Sequence, residues 1–383
     1  MRIQAVPLSF LRGVVLNSSD PILQCYEIAL IPLSEGVLLK RGCLEFTIEG
    51  VSANHVVGLL LELTQPPGIQ LSSLKTHFPS IIWPAVKQLI DEFVSRRIFF
   101  FRTEYENFQP LENLSFDTSA LSTFYWHFPQ CLNPLLNQNT NFHISLIGIN
   151  NISVKIAHQL VKSGLNSLHF VDDPELRCED TKNDIDKGKL QLPKESVIAT
   201  HSVKEWENIL ASVNKENLLV ASSDIGSQYY LRKWNELSVR GNFLFLPVLL
   251  KDMIGYVGPL VVPGETACLE CLRGRQNSHV NNPELFRASE RQCQDTKISV
   301  SFHPCMVSMV ADVASMEIIK LVHNIQNITV GNMIKINLLI PEMVRKPVLK
   351  LPRCPVCSDL NLFKHVSSLN DDIIPINNSD NSD

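Results

Sequence analysis

The sequence holds no apolar run long enough to cross a bilayer, which takes about 20 consecutive apolar residues, so a helical membrane-spanning protein is excluded. Its first residues, Met1-Arg-Ile-Gln-Ala-Val-Pro, lack the long apolar core and small-residue cleavage site of an export signal. Positive charge is short as well. The 34 Lys and Arg residues stand against 39 Asp and Glu, a net charge of −5, which argues against nucleic acid or anionic membrane as a partner. A disulfide framework is not expected either. Ten cysteines without an export signal read as reduced thiols plus a metal site, in a cytoplasmic protein.

What is present suits a globular protein with ample core. Of 383 residues, 45% are apolar and 19% charged, and the length favours two domains. The organising stretch is Gly258-Pro-Leu-Val-Val-Pro-Gly-Glu-Thr-Ala-Cys268-Leu-Glu-Cys271. A second Cys-x-x-Cys, Cys354-Pro-Val-Cys357, follows far downstream. Two such pairs supply four thiolates, the ligand set of tetrahedral structural zinc. Four sulfurs leave no open coordination position, so this zinc should staple the fold and do no chemistry. Cysteines that merely pack are the plainer reading, but the Pro and Gly turn formers around both pairs speak for a zinc knuckle. A redox pair would need a thiol at a helix start, and neither motif is expected to open a helix.

Three short strands come early: Tyr26 to Ser34, Val37 to Gly42 and Cys43 to Glu49. Three helices follow. Ser52 caps the first, Ser72 or Ser73 opens a shorter second, and Pro84 lies in the first turn of a third, from Trp83 to Val94. Ile98-Phe-Phe-Phe closes the unit as a strand. This order is winged-helix-like. Such modules bind DNA, but the third helix carries Trp83, Lys87, Asp91 and Glu92, a mixed face. The other use is strand addition of an extended peptide beside a helix groove. Residues 104–140 read as a linker with a helix around Leu121 to Trp126, and Phe124, Tyr125, Trp126 and Phe128 as inter-domain packing.

Phe142-His-Ile-Ser-Leu-Ile-Gly148-Ile-Asn150-Asn151-Ile-Ser153 is a strand, a tight turn and a helix start. Leu168-His-Phe-Val-Asp172-Asp173 is the next strand. The layout is that of a nucleotide-binding βαβ unit, with Asp172 where a ribose-binding acid belongs. Only Gly148 survives of the glycines. Asn150, Asn151 and Ser153 stand where backbone must approach phosphate, so the fold signal persists while the phosphate signal is damaged. Leu218 to Asp224 is another strand ending in an acid, which could equally serve as a helix cap. A helix from Ser227 to Val239, strands at Phe243 and Tyr256, a long helix from Phe302 to Val322 and a strand from Met333 follow. The tail from residue 367 to 383, rich in Asn, Asp and Ser, reads as disordered.

Two resemblances follow from these residues. The early module, residues 1–103, resembles the PqqD-related domain that captures leader peptides in ribosomal natural-product pathways. That likeness implies a peptide-binding edge at Leu44, Phe46 and Ile48, and a groove at Ala85, Val86, Leu89, Ile90 and Phe93. Residues 141–366 resemble the ThiF family, relatives of ubiquitin-activating enzymes and of the microcin C adenylating enzyme. The match is nearest to its branch in thiazole/oxazole-modified peptide clusters. The residues that carry it are the βαβ unit with Asp172, the Ser-Asp224 strand, the Gly-Pro-x-x-x-Pro-Gly-x-x-Ala-Cys-x-x-Cys stretch and Pro-Arg-Cys-Pro-x-Cys.

The resemblance implies an α/β architecture: a winged-helix leader-recognition domain, then a ThiF-like Rossmann-type domain with structural zinc on Cys268, Cys271, Cys354 and Cys357. In catalytic members a Gly-rich turn holds ATP, an Asn-Arg-Gln segment places an arginine near the phosphates, and a later Asp binds magnesium. Asp224 matches that acid, and Lys187 or Lys189 could match a phosphate lysine, but Arg177 is a poor substitute for the arginine. Gly148, Asn150, Asp172 and Asp224 are therefore expected to mark a vestigial nucleotide site, with ATP not used. The expected role is to present a precursor's leader to a YcaO-type cyclodehydratase in bacteriocin or thiopeptide synthesis, as a homodimer. The alternatives are an adenylating enzyme of the microcin C type and a transcription regulator built on the winged helix.

Overall fold

The computed structural model describes residues 20–102, 118–128, 142–165, 167–187, 197–212, 216–224, 226, 228–280, 282, 284, 302–325, 330–340 and 342–358. The chain divides into two compact units, Met1–His127 and Phe128–Asp383. No helix among the described residues is long and apolar enough to cross a membrane. The expected disordered tail, the first nineteen residues and Lys189 lie outside the described residues.

The first unit contains two small sheets. One is a meander of β2 (Ala29–Leu33), β3 (Gly36–Arg41) and β4 (Leu44–Glu49). The other sets β1 (Ile22–Cys25) between β5 (Ile69–Gln70) and β6 (Phe99–Arg102). β1 is only four residues long, too short for its alternation to stand out in the sequence. Helices α1 (Ala53–Leu63), α2 (Leu71–Thr76) and α3 (Trp83–Ser95) lie between β4 and β6 in the order expected. Ser52 is the N-cap residue of α1 without a side-chain bond, and α2 begins at Leu71, its first turn held by Asp20 through the Ser72 amide.

The strands and helices close on one core. Leu23, Val37, Leu39, Phe46, Ile48, Val57, Leu60, Leu74, Val86, Leu89, Ile90, Phe93 and Phe99 are buried together. The helix expected in the linker is α4 (Thr118–Trp126), and it belongs to this unit. Its Trp126 donates Nε1 to the Arg97 carbonyl at 2.8 Å and meets the Tyr26 ring edge-on at 6.4 Å. Within the first unit this large ring thus finds both an apolar neighbour and an acceptor for its one donor.

The second unit is built on an eight-stranded sheet, in the order β14-β13-β12-β11-β10-β7-β8-β9. The five strands β7 (Phe142–Ile147), β8 (Ser167–Asp172), β9 (Val197–Ser202), β10 (Glu216–Ser223) and β11 (Leu244–Lys251) run parallel. β12 (Ile254–Val257), β13 (Asn332–Asn337) and β14 (Glu342–Pro347) extend it antiparallel. α5 (Asn151–Lys162) joins β7 to β8, and α6 (Glu179–Asp186) lies between β8 and β9. α7 (Val203–Ser212) leads from β9 to β10, and α8 (Arg232–Gly241) from β10 to β11. α9 (Leu269–Ser278) follows β12, and the long α10 (Pro304–Val322) precedes β13.

The near-continuous apolar runs of β7, β10 and β11 follow from burial on both faces, as parallel strands require. Strand order reverses between β7 and β10, so the loops after these two strands open a crevice at their carboxyl ends. That crevice is where ligands of such sheets bind, and Asn150 and Asp224 sit in it.

Candidate functional site

Every backbone donor of the first turn of α5 is already used. Asn150, the N-cap, is fully buried, and its Oδ1 accepts from the Ile152 and Ser153 amides, both at 3.1 Å. Ser153 Oγ in turn receives the Asn150 amide at 3.1 Å, completing a capping box. The remaining donor, the Asn151 amide, meets Asp224 Oδ2 at 3.2 Å, and Asn151 Nδ2 meets the same oxygen at 2.9 Å. A helix N-terminus attracts anions through its unpaired amides and its dipole. Here a carboxylate of the chain occupies that place. Burial pushes the Asp224 carboxyl above its ordinary range, while the two bonds from Asn151 pull the other way.

Three more sets of contacts surround this helix start. Gly148 has a φ of +87°, and a Cβ built on it would lie 2.6 Å from the Leu176 Cβ and 2.9 Å from the Leu176 carbonyl oxygen. The glycine is kept for the sake of Leu176, which covers it. Asn150 Nδ2 donates to the Leu176 and Ser222 carbonyls at 3.0 and 2.9 Å, tying the loop after β8 and the end of β10 to the turn after β7. Asp172 is also taken: Arg177 Nε and Lys182 Nζ both reach it at 2.7 Å. Burial pushes that carboxyl up, but the bonds from Arg177 and Lys182 prevail and hold it below the usual carboxylate range.

Gly148, Asn150 and Asp224 thus lie around bonds the chain makes to itself, and Asp172 is held at the end of β8 by Arg177 and Lys182. Arg177 serves Asp172, and Lys187 is only the C-cap of α6. The neighbouring acid went unnoticed in the sequence. Asp173 is 1% exposed, accepts from Trp234 Nε1 at 2.7 Å and from the Glu175 amide at 3.1 Å, and anchors α8. Trp206 and Trp234, with rings 5.3 Å apart, complete this side of the core.

The second cluster is the four cysteines. Their ligand atoms all lie within 4.8 Å of one another. Cys268 and Cys271 sulfurs are 3.9 Å apart, Cys268 and Cys354 3.6 Å, and Cys271 and Cys357 3.3 Å. Zinc–sulfur bonds of ~2.3 Å imply a tetrahedral edge of about 3.8 Å, so the set fits a metal ion. The Leu351 amide donates to Cys271 Sγ at 3.3 Å, as thiolates in metal sites are commonly supported. Hydrogen bonding, first with Cys268, lowers Cys354 to about 7 and lowers Cys271, while Cys268, bonded first to Cys271, is raised, as is Cys357. Arg275 fixes the incoming segment through the Leu349 and Lys350 carbonyls, at 2.7 and 2.9 Å. One expectation is corrected. Cys268 is the N-cap of α9, so the first pair does open a helix. Its weak apolar periodicity hid it.

In the first unit Phe46, Ile48, Val86, Leu89, Ile90 and Phe93 are core residues, and Leu44 is partly buried against them. Ala85 is exposed. What remains open is the strand backbone. Among the described residues β4 pairs on one side only, with β3. Arg41 and Leu44 close a two-residue hairpin, and Gly50 donates to the Glu35 carbonyl at 3.1 Å. Antiparallel alternation then turns the amides of Glu45, Thr47 and Glu49 away from β3, toward the free edge.

The parallel order, its switch point and the three antiparallel strands define a Rossmann-like fold of the ThiF type. The same fold is found in crystal structures of MccB from E. coli. With MccA bound, that protein aligns at a TM-score of 0.58 and 18% identity, over 88% of this chain and 99% of MccB. Its ATP complex aligns at 0.57 and 18%, over 88% and 99%. A heterocyclase in complex with substrate and cofactor aligns at 0.56 and 16%, over 90% of this chain and 41% of the heterocyclase. No family model matches the sequence, and no curated protein does.

Proposed function

We propose that this protein is a recognition subunit and not an adenylating enzyme. Its first unit, read as a winged-helix module, takes the leader of a ribosomally made precursor as an added strand on β4. Its second unit, stapled by zinc, docks a YcaO-type cyclodehydratase that forms azolines from Cys, Ser or Thr. The protein acts as a homodimer. The observation that carries this reading is the self-satisfied α5 terminus, where Asp224 and Asn150 use the donors a triphosphate would claim.

The rival is adenylation of a peptide, as in an MccB-like enzyme. It draws support from length: this chain matches 99% of MccB but 41% of the heterocyclase. Calorimetry with Mg-ATP separates the two. The recognition reading expects no heat of binding at millimolar nucleotide. Micromolar binding, followed by pyrophosphate release when a peptide is added, would establish the rival.

A further inference from the structure

The sheet of the second unit ends on an open strand. Among the described residues β14 bonds to β13 on one side only, and apart from half-buried Val344 its residues are exposed. Which of its backbone groups face outward follows from the ladder. Val348, just beyond the strand, donates to the Gly331 carbonyl at 3.0 Å, and Pro347, opposite Asn332, has no N–H to give. Antiparallel alternation then aims the amides of Glu342, Val344 and Lys346 at β13, and those of Met343 and Arg345 away from it. The proline takes an edge position where a missing donor costs the ladder nothing.

The segment is also complementary to itself. Glu342 opens the strand and Lys346 lies near its end, on the same face as Val344, which is midway between them. Among the described residues neither has an ion-pair partner. Apolar side chains bracket the strand. Leu339 and Ile340, in the turn before it, are 63% and 67% exposed, and Leu349, just after it, is 62% exposed. Both ends are held. The Leu339 and Ile340 amides donate to Asn337 Oδ1 at 3.2 and 3.3 Å, and Arg275 Nε donates to the Leu349 carbonyl at 2.7 Å.

We propose that two copies of this chain pair along β14, antiparallel about a twofold axis at Val344, so that their sheets become one. Met343 and Arg345 of each copy exchange N–H···O=C bonds with Arg345 and Met343 of the other. Glu342 of each copy lies opposite Lys346 of the other, in the closer-spaced pairs that exchange no backbone bonds, and two ion pairs form. The Leu339–Ile340 turn of one copy comes beside Leu349 of the other. Moving the axis loses this match. At Arg345 it sets like charges face to face, and at Met343 it sets Glu342 opposite Val344 and Lys346 opposite Ile340. A twofold contact must be self-complementary in this way. Two strands alone are small against the roughly 1,200 Å² of a stable interface, and the exposed apolar ends add to that area. This inference rests on the homodimer reading and names its surface.

The test is sedimentation equilibrium of the full zinc-loaded chain. E342K and K346E should each raise the dimer dissociation constant at least about tenfold, since each turns two attractive pairs into repulsive ones. The double variant E342K/K346E restores opposite charges in swapped places, and should return to within about threefold of the native value. V344C gives a readout independent of charge. Its two copies meet at a Cα separation of about 4.5 Å, which a disulfide spans, so mild oxidation should link the copies at position 344, as mapped by peptide mass spectrometry. K346C, whose copies lie four residues apart along the strand, roughly 13 Å, should not link. Native-strength dimers in both single charge variants would overturn this surface and leave a homodimer formed elsewhere, as would dimers in which V344C fails to link. A native chain that stays monomeric throughout the concentration series would overturn the surface and the homodimer reading together. Should a charge variant fail to fold by circular dichroism, V344C and K346C decide alone.

Discussion

Replacing Asn150 with Ala tests the idea that the old phosphate loop has become a structural stake. The Asn150 side chain makes five hydrogen bonds: from Ile152, Ser153 and Ser222 Oγ, and to the Leu176 and Ser222 carbonyls. A net value of about 1 kcal/mol for each sums to about 5 kcal/mol. The freed groups are deeply buried, so little water can replace the lost partners. Some slack in the loops should recover part of the loss, which leaves roughly 3–5 kcal/mol. That is a large share of the stability of an ordinary domain, about 5–15 kcal/mol. Urea unfolding followed by the fluorescence of buried Trp206 and Trp234 measures it directly. The same variant, titrated with Mg-ATP, should gain no nucleotide affinity, because Leu176 still covers Gly148 and Asp224 still holds Asn151. A loss under about 1 kcal/mol, or a variant that binds nucleotide without unfolding, would refute the argument.

The remaining predictions address other parts of the chain. Cys354→Ser should release zinc and leave the second unit aggregation-prone, since structural zinc supplies folding energy directly; atomic emission gives the metal content, and a zinc-free, soluble native chain would contradict the assignment. Thr47→Pro removes an edge-facing amide without breaking the β3 ladder, so leader binding should weaken more than tenfold while circular dichroism is unchanged; unaltered affinity would place the peptide elsewhere. Asp172 stabilises the fold above the ordinary carboxylate pKa of about 3.9, and that contribution fades as the pH falls through its lower folded value. Asp172→Asn should therefore lower the urea midpoint at pH 7 but not at pH 2, and a gap of constant size would show that the ion pairs with Arg177 and Lys182 are inert.

The parts of this molecule legible in its sequence are those fixed by local pattern. The β7–α5 unit could be read because an apolar strand, a glycine and an amphipathic helix are contiguous. The four cysteines could be read because a two-residue gap has few other uses. What stayed hidden depends on residues meeting across the fold. Leu176 fills the space over Gly148 from a loop 28 residues away, and nothing in either segment announces it. Apolar residues at helical spacing, such as Val86, Leu89, Ile90 and Phe93, report that a face is covered. They do not report whether the cover is the domain's own core or a visiting peptide. Here it is the core. Asp172 and Asp173 look equivalent in sequence, yet one is salt-bridged to Arg177 and Lys182 at the rim, while the other, paired with Lys233, is sunk against Trp234.

The cysteine cluster also has a temporal meaning. Its two halves are 86 residues apart, with α10 and the β13–β14 hairpin lying between them. During synthesis the parallel strands can assemble first, whereas α9 must wait for a segment made much later before its sulfurs have company. Capture of a metal ion by these sulfurs would then be among the closing acts of folding, and chains without it would be nearly finished but unlatched.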